Sequence, residues 1–236
     1  MRSTTLLSIA AVVVPVGIGR GQTGPTTTQV TSAPCFRPRI RVACLGDSIT
    51  AGARTKDRST QSYPARLQAL LGDGWHVRNF GIGGATLLRK GRPNIWKSVP
   101  ADRQFNPHVV VIMLGTNDTV SGRRKNWERI DEFPRDYKRL IKAFAKLPAL
   151  PAIYCCSPTA MVLETPGLSA ERRAKLTERK PRLQQLRRQI KQIARQQKVH
   201  YLDLNPLLAR RPDLIFKGDG VHPNVEGYRA IARRVL

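Results

Sequence analysis

The chain has 236 residues, 41% of them apolar, and 41 Lys and Arg against 16 Asp and Glu give a formal charge of +25. The length suits one domain with a large core, and the apolar fraction excludes a disordered polyelectrolyte. A field this positive attracts polyanions but does not set a fold, so most of the basic residues are read as solvated surface.

The chain opens with Arg2 and an apolar run from Leu6 to Gly19, broken only by Ser8 and Pro15. The run is short for a bilayer span and suits the core of an export signal, assigned to residues 1–21. The stretch from Gln22 to Pro34 is rich in Thr, Pro and Ser, so residues 22–38 are read as a flexible leader and residues 39–236 as the domain. A secreted or periplasmic protein with no transmembrane segment is expected.

Five short apolar runs follow: Ile40–Leu45, Trp75–Phe80, His108–Leu114, Ala152–Cys156 and Val199–Leu204. The third is continuous and β-branched, the mark of a strand buried on both faces of a parallel sheet. Helical patterns lie between the runs. Pro64–Leu71 places Leu67, Leu70 and Leu71 on one face and stops at Gly72. Pro134–Leu147 carries the stripe Tyr137, Leu140, Ile141 and Phe144. Pro181–Gln197 carries Leu183, Leu186, Ile190 and Ile193, with Pro181 suited to a first turn. The tail after Asn224 carries Val225, Tyr228, Ile231 and Val235. Strands alternating with helices predict a three-layer α/β/α sandwich on a parallel sheet of about five strands. Gly91–Asn106 and Ser157–Lys180 are left as long connections, candidates for substrate-binding walls.

Of the cysteines, Cys44, Cys155 and Cys156 sit in strand-like apolar runs and are read as buried thiols; Cys35 precedes the first run. The spacing fits neither a zinc site nor a redox pair.

Chemistry concentrates near strand ends. Gly46-Asp47-Ser48-Ile49-Thr50 follows the first run, and a Ser there offers both its hydroxyl and its N–H to an acyl group, or else Asp47 and Ser48 cap a helix. Asp219-Gly220-Val221-His222-Pro223-Asn224 offers a base with a carboxylate to orient it. Gly115-Thr116-Asn117-Asp118 ends the third run: the Asn117 amide suits an oxyanion, and Asp118 suits a structural acceptor of backbone N–H groups. Asn79-Phe80-Gly81-Ile82-Gly83-Gly84-Ala85-Thr86 lets backbone approach a ligand closely, without dinucleotide spacing.

Taken together, these motifs resemble the blocks of the GDSL/SGNH hydrolases, over almost everything from Arg39 to Leu236. The resemblance implies the flavodoxin-like SGNH fold, Ser48 as nucleophile, and Asp219 and His222 as its acid and base. It also implies an oxyanion hole of the Ser48 N–H, the Gly84 N–H and the Asn117 amide. Ile49 stands at the position of the name-giving Leu. Gly83 replaces a common Ser, which leaves Gly81 as a rival to Gly84, and Thr50 departs from the GxSxG elbow of α/β-hydrolases. Ser62-Tyr63-Pro64, Gly84-Ala85-Thr86-Leu87-Leu88 and Trp96 are similar to bacterial carbohydrate or sialate O-acetylesterases of this family. In that setting Trp96 offers a platform to a sugar face; otherwise it anchors its loop.

The expectation is therefore a cofactor-free and metal-free esterase acting on short, chiefly acetyl, esters of a small molecule or glycan. A lysophospholipase or thioesterase is the alternative in kind, and needs an apolar channel for its acyl chain. A non-catalytic polyanion or glycan binder is the alternative in class. Glu171–Lys198 holds eleven Lys or Arg and two Glu, a net +9 that suggests a solvated helix face with weak attraction to acidic polysaccharide. Its lack of aromatics and the absence of nucleic-acid motifs argue against specific nucleic-acid binding.

Overall fold

The computed structural model describes residues 38–236. The export-signal reading, the leader reading up to residue 37 and Cys35 lie outside the described residues. In chain order the elements are β1 (Ile40–Gly46), α1 (Ser48–Ala51), α2 (Arg58–Gln61), α3 (Tyr63–Leu71) and β2 (Trp75–Gly81), then α4 (Val99–Gln104) and β3 (Val109–Met113). They continue with α5 (Phe133–Ala145), β4 (Ala152–Cys156), α6 (Ala170–Gln197), β5 (His200–Leu202), α7 (Asn205–Leu208) and α8 (Val225–Val235). Every strand pairing is parallel and the order is β2-β1-β3-β4-β5.

The sheet separates two apolar layers. Val42, Cys44, Val109, Val111, Met113 and Cys156 point to the layer that takes in Leu67 of α3 and Tyr228, Ile231 and Val235 of α8. Leu45, Val110, Ile112, Ile153 and Cys155 point to the other, against Tyr137, Leu140, Ile141 and Phe144 of α5 and Leu186, Ile190 and Ile193 of α6. Successive β3 residues thus enter opposite layers, which is why that segment reads as an unbroken apolar run. Leu70 departs from the predicted α3 face: it is 45% exposed.

The helix expected at Pro181 starts eleven residues earlier. Ser169 caps it by accepting from the Arg172 N–H at 3.1 Å, and Leu176 is buried one turn on. Pro181 lies inside on an exposed face, where its missing N–H removes a single helical bond. The connection expected over Ser157–Lys180 is therefore loop only as far as Ser169. The other, Gly91–Asn106, contains α4 and a turn of 3₁₀ helix at Ile95–Lys97. Cys44, Cys155 and Cys156 are buried free thiols, and burial pushes Cys44 and Cys155 up to about 12.

Two glycines bring β1, β2 and α1 together at the carboxyl edge of the sheet. A Cβ at Gly46 would overlap Thr50 Oγ1, and one at Gly81 would overlap the Ala51 backbone nitrogen. The turn carrying Ser48 is seated directly on the ends of two strands, and only hydrogen fits between them.

Candidate active site

Asp47 caps α1, its Oδ1 accepting from the Ile49 N–H at 2.9 Å. The capping reading of this motif thus holds for Asp47, while Ser48 is left facing the cleft. Ser48 Oγ lies 2.8 Å from His222 Nε2. On the far side of the ring, His222 Nδ1 lies 2.9 Å from Asp219 Oδ1. The same oxygen accepts from the backbone N–H groups of Val221 and His222 at 3.1 and 2.9 Å. Gly220, at φ 74°, lets the loop turn back so that both side chains meet. Burial opposes the charge of Asp219, yet the side-chain and backbone hydrogen bonds of His222 and the Arg172 guanidinium hold its carboxyl far below the usual range. Arg54 Nε adds a contact to Asp219 Oδ2 at 3.2 Å.

The Gly-rich turn and the end of β3 close the cleft opposite His222. Gly84 adopts φ 74°. Gly81 donates its N–H to Asn79 Oδ1 at 2.9 Å, whereas no backbone carbonyl among the described residues accepts from Gly84. Of the two rivals, Gly84 retains a donor for a ligand. The Ser48 N–H, at the first position of α1, has no intrahelical acceptor either. Asn117 Nδ2 donates to the Ala85 carbonyl at 3.0 Å and lies 3.5 Å from Asp47 Oδ2. One amide hydrogen is thus anchored beside Gly84, and the second meets only a long contact.

Asp118 is fully buried and accepts from the backbone N–H groups of Leu87 and Leu88 at 3.1 and 2.9 Å. It acts as the structural acceptor expected, but ties down the Gly-rich turn rather than its own. Burial pushes it up to about 7, over the opposing pull of those two N–H groups. Its folded value stands above its unfolded one, so the folded state holds the proton more tightly. The stability this group contributes is full near pH 4 and is lost as pH rises to about 7, by an order of about 4 kcal/mol in total. Asp118→Asn removes that titration. The melting-temperature gap between the wild type and this variant is expected to shrink from about pH 4 to about pH 7; a gap that stays constant or widens refutes the assignment.

Trp96 is half-buried. Its indole N–H donates to the Leu87 carbonyl at 2.6 Å, and the Arg89 guanidinium lies 5.1 Å over its ring. This is the loop-anchor arrangement, and the face under Arg89 is not a bare platform.

Three arginines of the site carry no individual sequence signal. Arg172 Nε donates to the Asp219 carbonyl at 3.0 Å. Arg179 donates to Thr119 Oγ1 and the Thr116 carbonyl at 2.9 and 2.8 Å, bracing the Asn117 turn from α6. Arg182 Nη1 donates to the Thr119 carbonyl at 3.1 Å. Burial, and next the neighbouring Arg172, Arg124 and Arg182, push Arg179 down to about 10. Arg187 is paired with Asp203 at 2.5 Å. The basic α6 is thus not simply a solvated face, since five of its guanidinium groups are tied into the fold, that of Arg173 through the Leu163 carbonyl. No helix of the described residues is long and apolar enough to cross a membrane.

Residues 44–230 match the model of the GDSL-like lipase/acylhydrolase family. The chain belongs to that family. An acetylxylan esterase of Xylanibacter ruminicola is 34% identical over 82% of this chain and 42% of its own length, so this GDSL-type hydrolase spans less than half of that relative. Among solved structures, a carbohydrate acetylesterase from Sinorhizobium meliloti superposes with a TM-score of 0.67 at 21% identity, covering 84% of this chain and 96% of that one. A catalytic mutant of an acetylxylan esterase from Geobacillus stearothermophilus gives 0.63 at 22%, over 84% and 92%. The aryl esterase of M. smegmatis gives 0.61 at 19%, over 82% and 95%. At these identities the likeness is one of fold, and it places this GDSL-type hydrolase on the same α/β framework.

Proposed function

We propose that the protein is a serine esterase that removes short acyl groups, chiefly acetyl, from carbohydrate through an acyl-enzyme on Ser48. The observation that carries the reading is the hydrogen-bonded series Ser48–His222–Asp219. A hydroxyl needs a positioned base to attack a carbonyl. His222 takes the Ser48 proton as the C–O bond forms, and Asp219 stabilises the imidazolium. The oxyanion is received by the N–H groups of Ser48 and Gly84 and the Asn117 amide. His222 then protonates the departing sugar oxygen as the C–O bond to it breaks, and water, activated by the same ring, attacks the acyl carbonyl, releases the acid and restores Ser48.

The names of the acetylxylan esterase and the carbohydrate acetylesterase that this chain resembles support an acetylated sugar. The lysophospholipase and thioesterase alternative calls for an apolar channel, and the cavity beside Gly84 is walled by Arg and Lys instead. Export belongs to the same proposal, supported by Arg2 and the apolar run to Gly19.

The test is a panel of acetylated xylo-oligosaccharide, p-nitrophenyl acetate, p-nitrophenyl palmitate and lysophosphatidylcholine. Acetate esters are expected to react about 100-fold faster in kcat/KM than palmitate, because the basic walls of the cavity beside Gly84 do not suit a long apolar chain. Faster cleavage of the palmitate ester or the lysolipid overturns the acetyl assignment.

A further inference from the structure

A cluster of seven cations lies beside the proposed oxyanion turn. A cavity of about 650 Å³ is walled by two segments. Arg89, Lys90 and Arg92 follow the Gly-rich turn, and Arg123, Arg124, Lys125 and Arg129 follow β3. Two of the nearby carboxylates are committed elsewhere. Glu132 is shared between Lys90 and Arg135, at 2.6 and 2.9 Å, and the buried Asp136 accepts from the Arg89 backbone N–H and lies 3.4 Å from Arg135. Apart from Lys90, no cation of the wall has a carboxylate partner among the described residues. Like charges gathered around one concavity repel, and a bound anion relieves that repulsion.

The cavity borders the proposed oxyanion turn. Arg124 Nη1 lies 3.7 Å from the point a Cβ at Gly84 would occupy. An anion seated there lies beside Gly84, the proposed oxyanion donor. The volume is that of a small-molecule site rather than a track for a polymer backbone. The tryptophans at its edge are covered, Trp96 by Arg89 and Trp127 by Arg182, at 5.1 and 5.2 Å. No aromatic residue lines the cavity itself, so a nucleobase finds no ring there on which to stack. Guanidinium groups match the planar, two-oxygen geometry of a carboxylate.

We propose that this cavity binds a uronic-acid carboxylate on the acetylated glycan, so that the enzyme selects acetyl esters on acidic polysaccharide. The proposal rests on the carbohydrate-esterase reading and moves the polyanion contact from α6, where composition alone put it, to the mouth of the active site.

Two measurements separate the proposal from the reading beneath it. Calorimetric binding of a non-acetylated oligogalacturonide to the Ser48→Ala variant needs no turnover. Binding is expected, weakening with added salt, and about 10- to 100-fold weaker when Arg92→Ala and Arg123→Ala are added. The control pair Arg139→Ala and Lys142→Ala removes the same charge from α5 and is expected to leave affinity within about twofold. In the otherwise wild-type enzyme, Arg92→Ala with Arg123→Ala is expected to lower kcat/KM on acetylated oligogalacturonide by a similar factor, and on p-nitrophenyl acetate by less. Circular dichroism checks that the variants fold. Equal loss from the cavity and control pairs, no oligogalacturonide binding, or tighter binding of a DNA duplex at the same salt overturns the proposal. A wild type that binds oligogalacturonide but cleaves no acetate ester leaves the cavity standing and removes the esterase reading instead.

Discussion

Ser48→Ala is expected to lower p-nitrophenyl acetate turnover by about 10⁴–10⁶-fold, leaving the melting temperature nearly unchanged. The two expectations have separate causes. The Ser48 hydroxyl makes one side-chain contact, to His222 Nε2 at 2.8 Å, and the residue is only half-buried. Water can replace that contact in the variant, so folding loses little. Turnover loses the nucleophile itself, and the remaining donors of Gly84 and Asn117 only polarise a carbonyl that nothing attacks. Retention of more than about one per cent of the wild-type rate, with contaminating esterase excluded by an independent preparation, would falsify the nucleophile assignment.

Asp219→Asn is expected to lower kcat by about 10²–10⁴-fold. Its Oδ1 gathers the N–H groups of Val221 and His222 and faces the His222 ring, so an amide can keep its carbonyl on that side. The loop then keeps its shape but loses the charge that stabilises an imidazolium. The amide nitrogen is left facing Arg54, which now meets a donor where it met an acceptor at 3.2 Å. A lower melting temperature should accompany the kinetic loss, because Arg54 and Arg172 lose their shared counter-charge. In the wild type Asp219 stays ionised through weakly acidic pH, since its carboxyl is held far below the usual range. Any acid limb in kcat above about pH 5 must then come from another group. A variant within about tenfold of wild type would show that Asp219 positions the loop without acting on the imidazole.

The framework was readable in the sequence where burial is two-sided. β3 had to be apolar at every position because its side chains alternate between two cores. α5 announced itself because one face is wholly buried: Tyr137, Leu140, Ile141 and Phe144 are each at most 2% exposed. The first eleven residues of α6 were not readable, since only Leu176 among them is buried and a proline follows. Helix there is held by a Ser169 cap and by guanidinium contacts to distant loops, neither of which leaves a periodicity. The Ser, Gly, Asn and Asp–His motifs were readable because their chemistry needs those residue types. Which of Gly81 and Gly84 keeps an N–H without an acceptor was not, because it turns on where Asn79 Oδ1 points. In a chain this rich in arginine, nothing local tells Arg172 and Arg179 from neighbours that stay in solvent. The basic cavity was hidden for a related reason: its two walls are about thirty residues apart in the chain and meet only in space.

Ser48 and His222 stand 174 residues apart and yet share a hydrogen bond. Tyr228 of α8 ties the two ends again, donating to the Ala53 carbonyl at 2.8 Å just beyond the nucleophile turn. The first strand and the last helix of the domain therefore close one ring. Closing so long a loop comes late in folding, because its entropy must be met before the contact returns anything. Catalytic competence is thus a property of the finished chain alone. On the proposed mechanism, recovered activity during refolding is expected to report the docking of α8, and a chain interrupted before Asn224 is expected to carry the proposed oxyanion donors and still lack a held base.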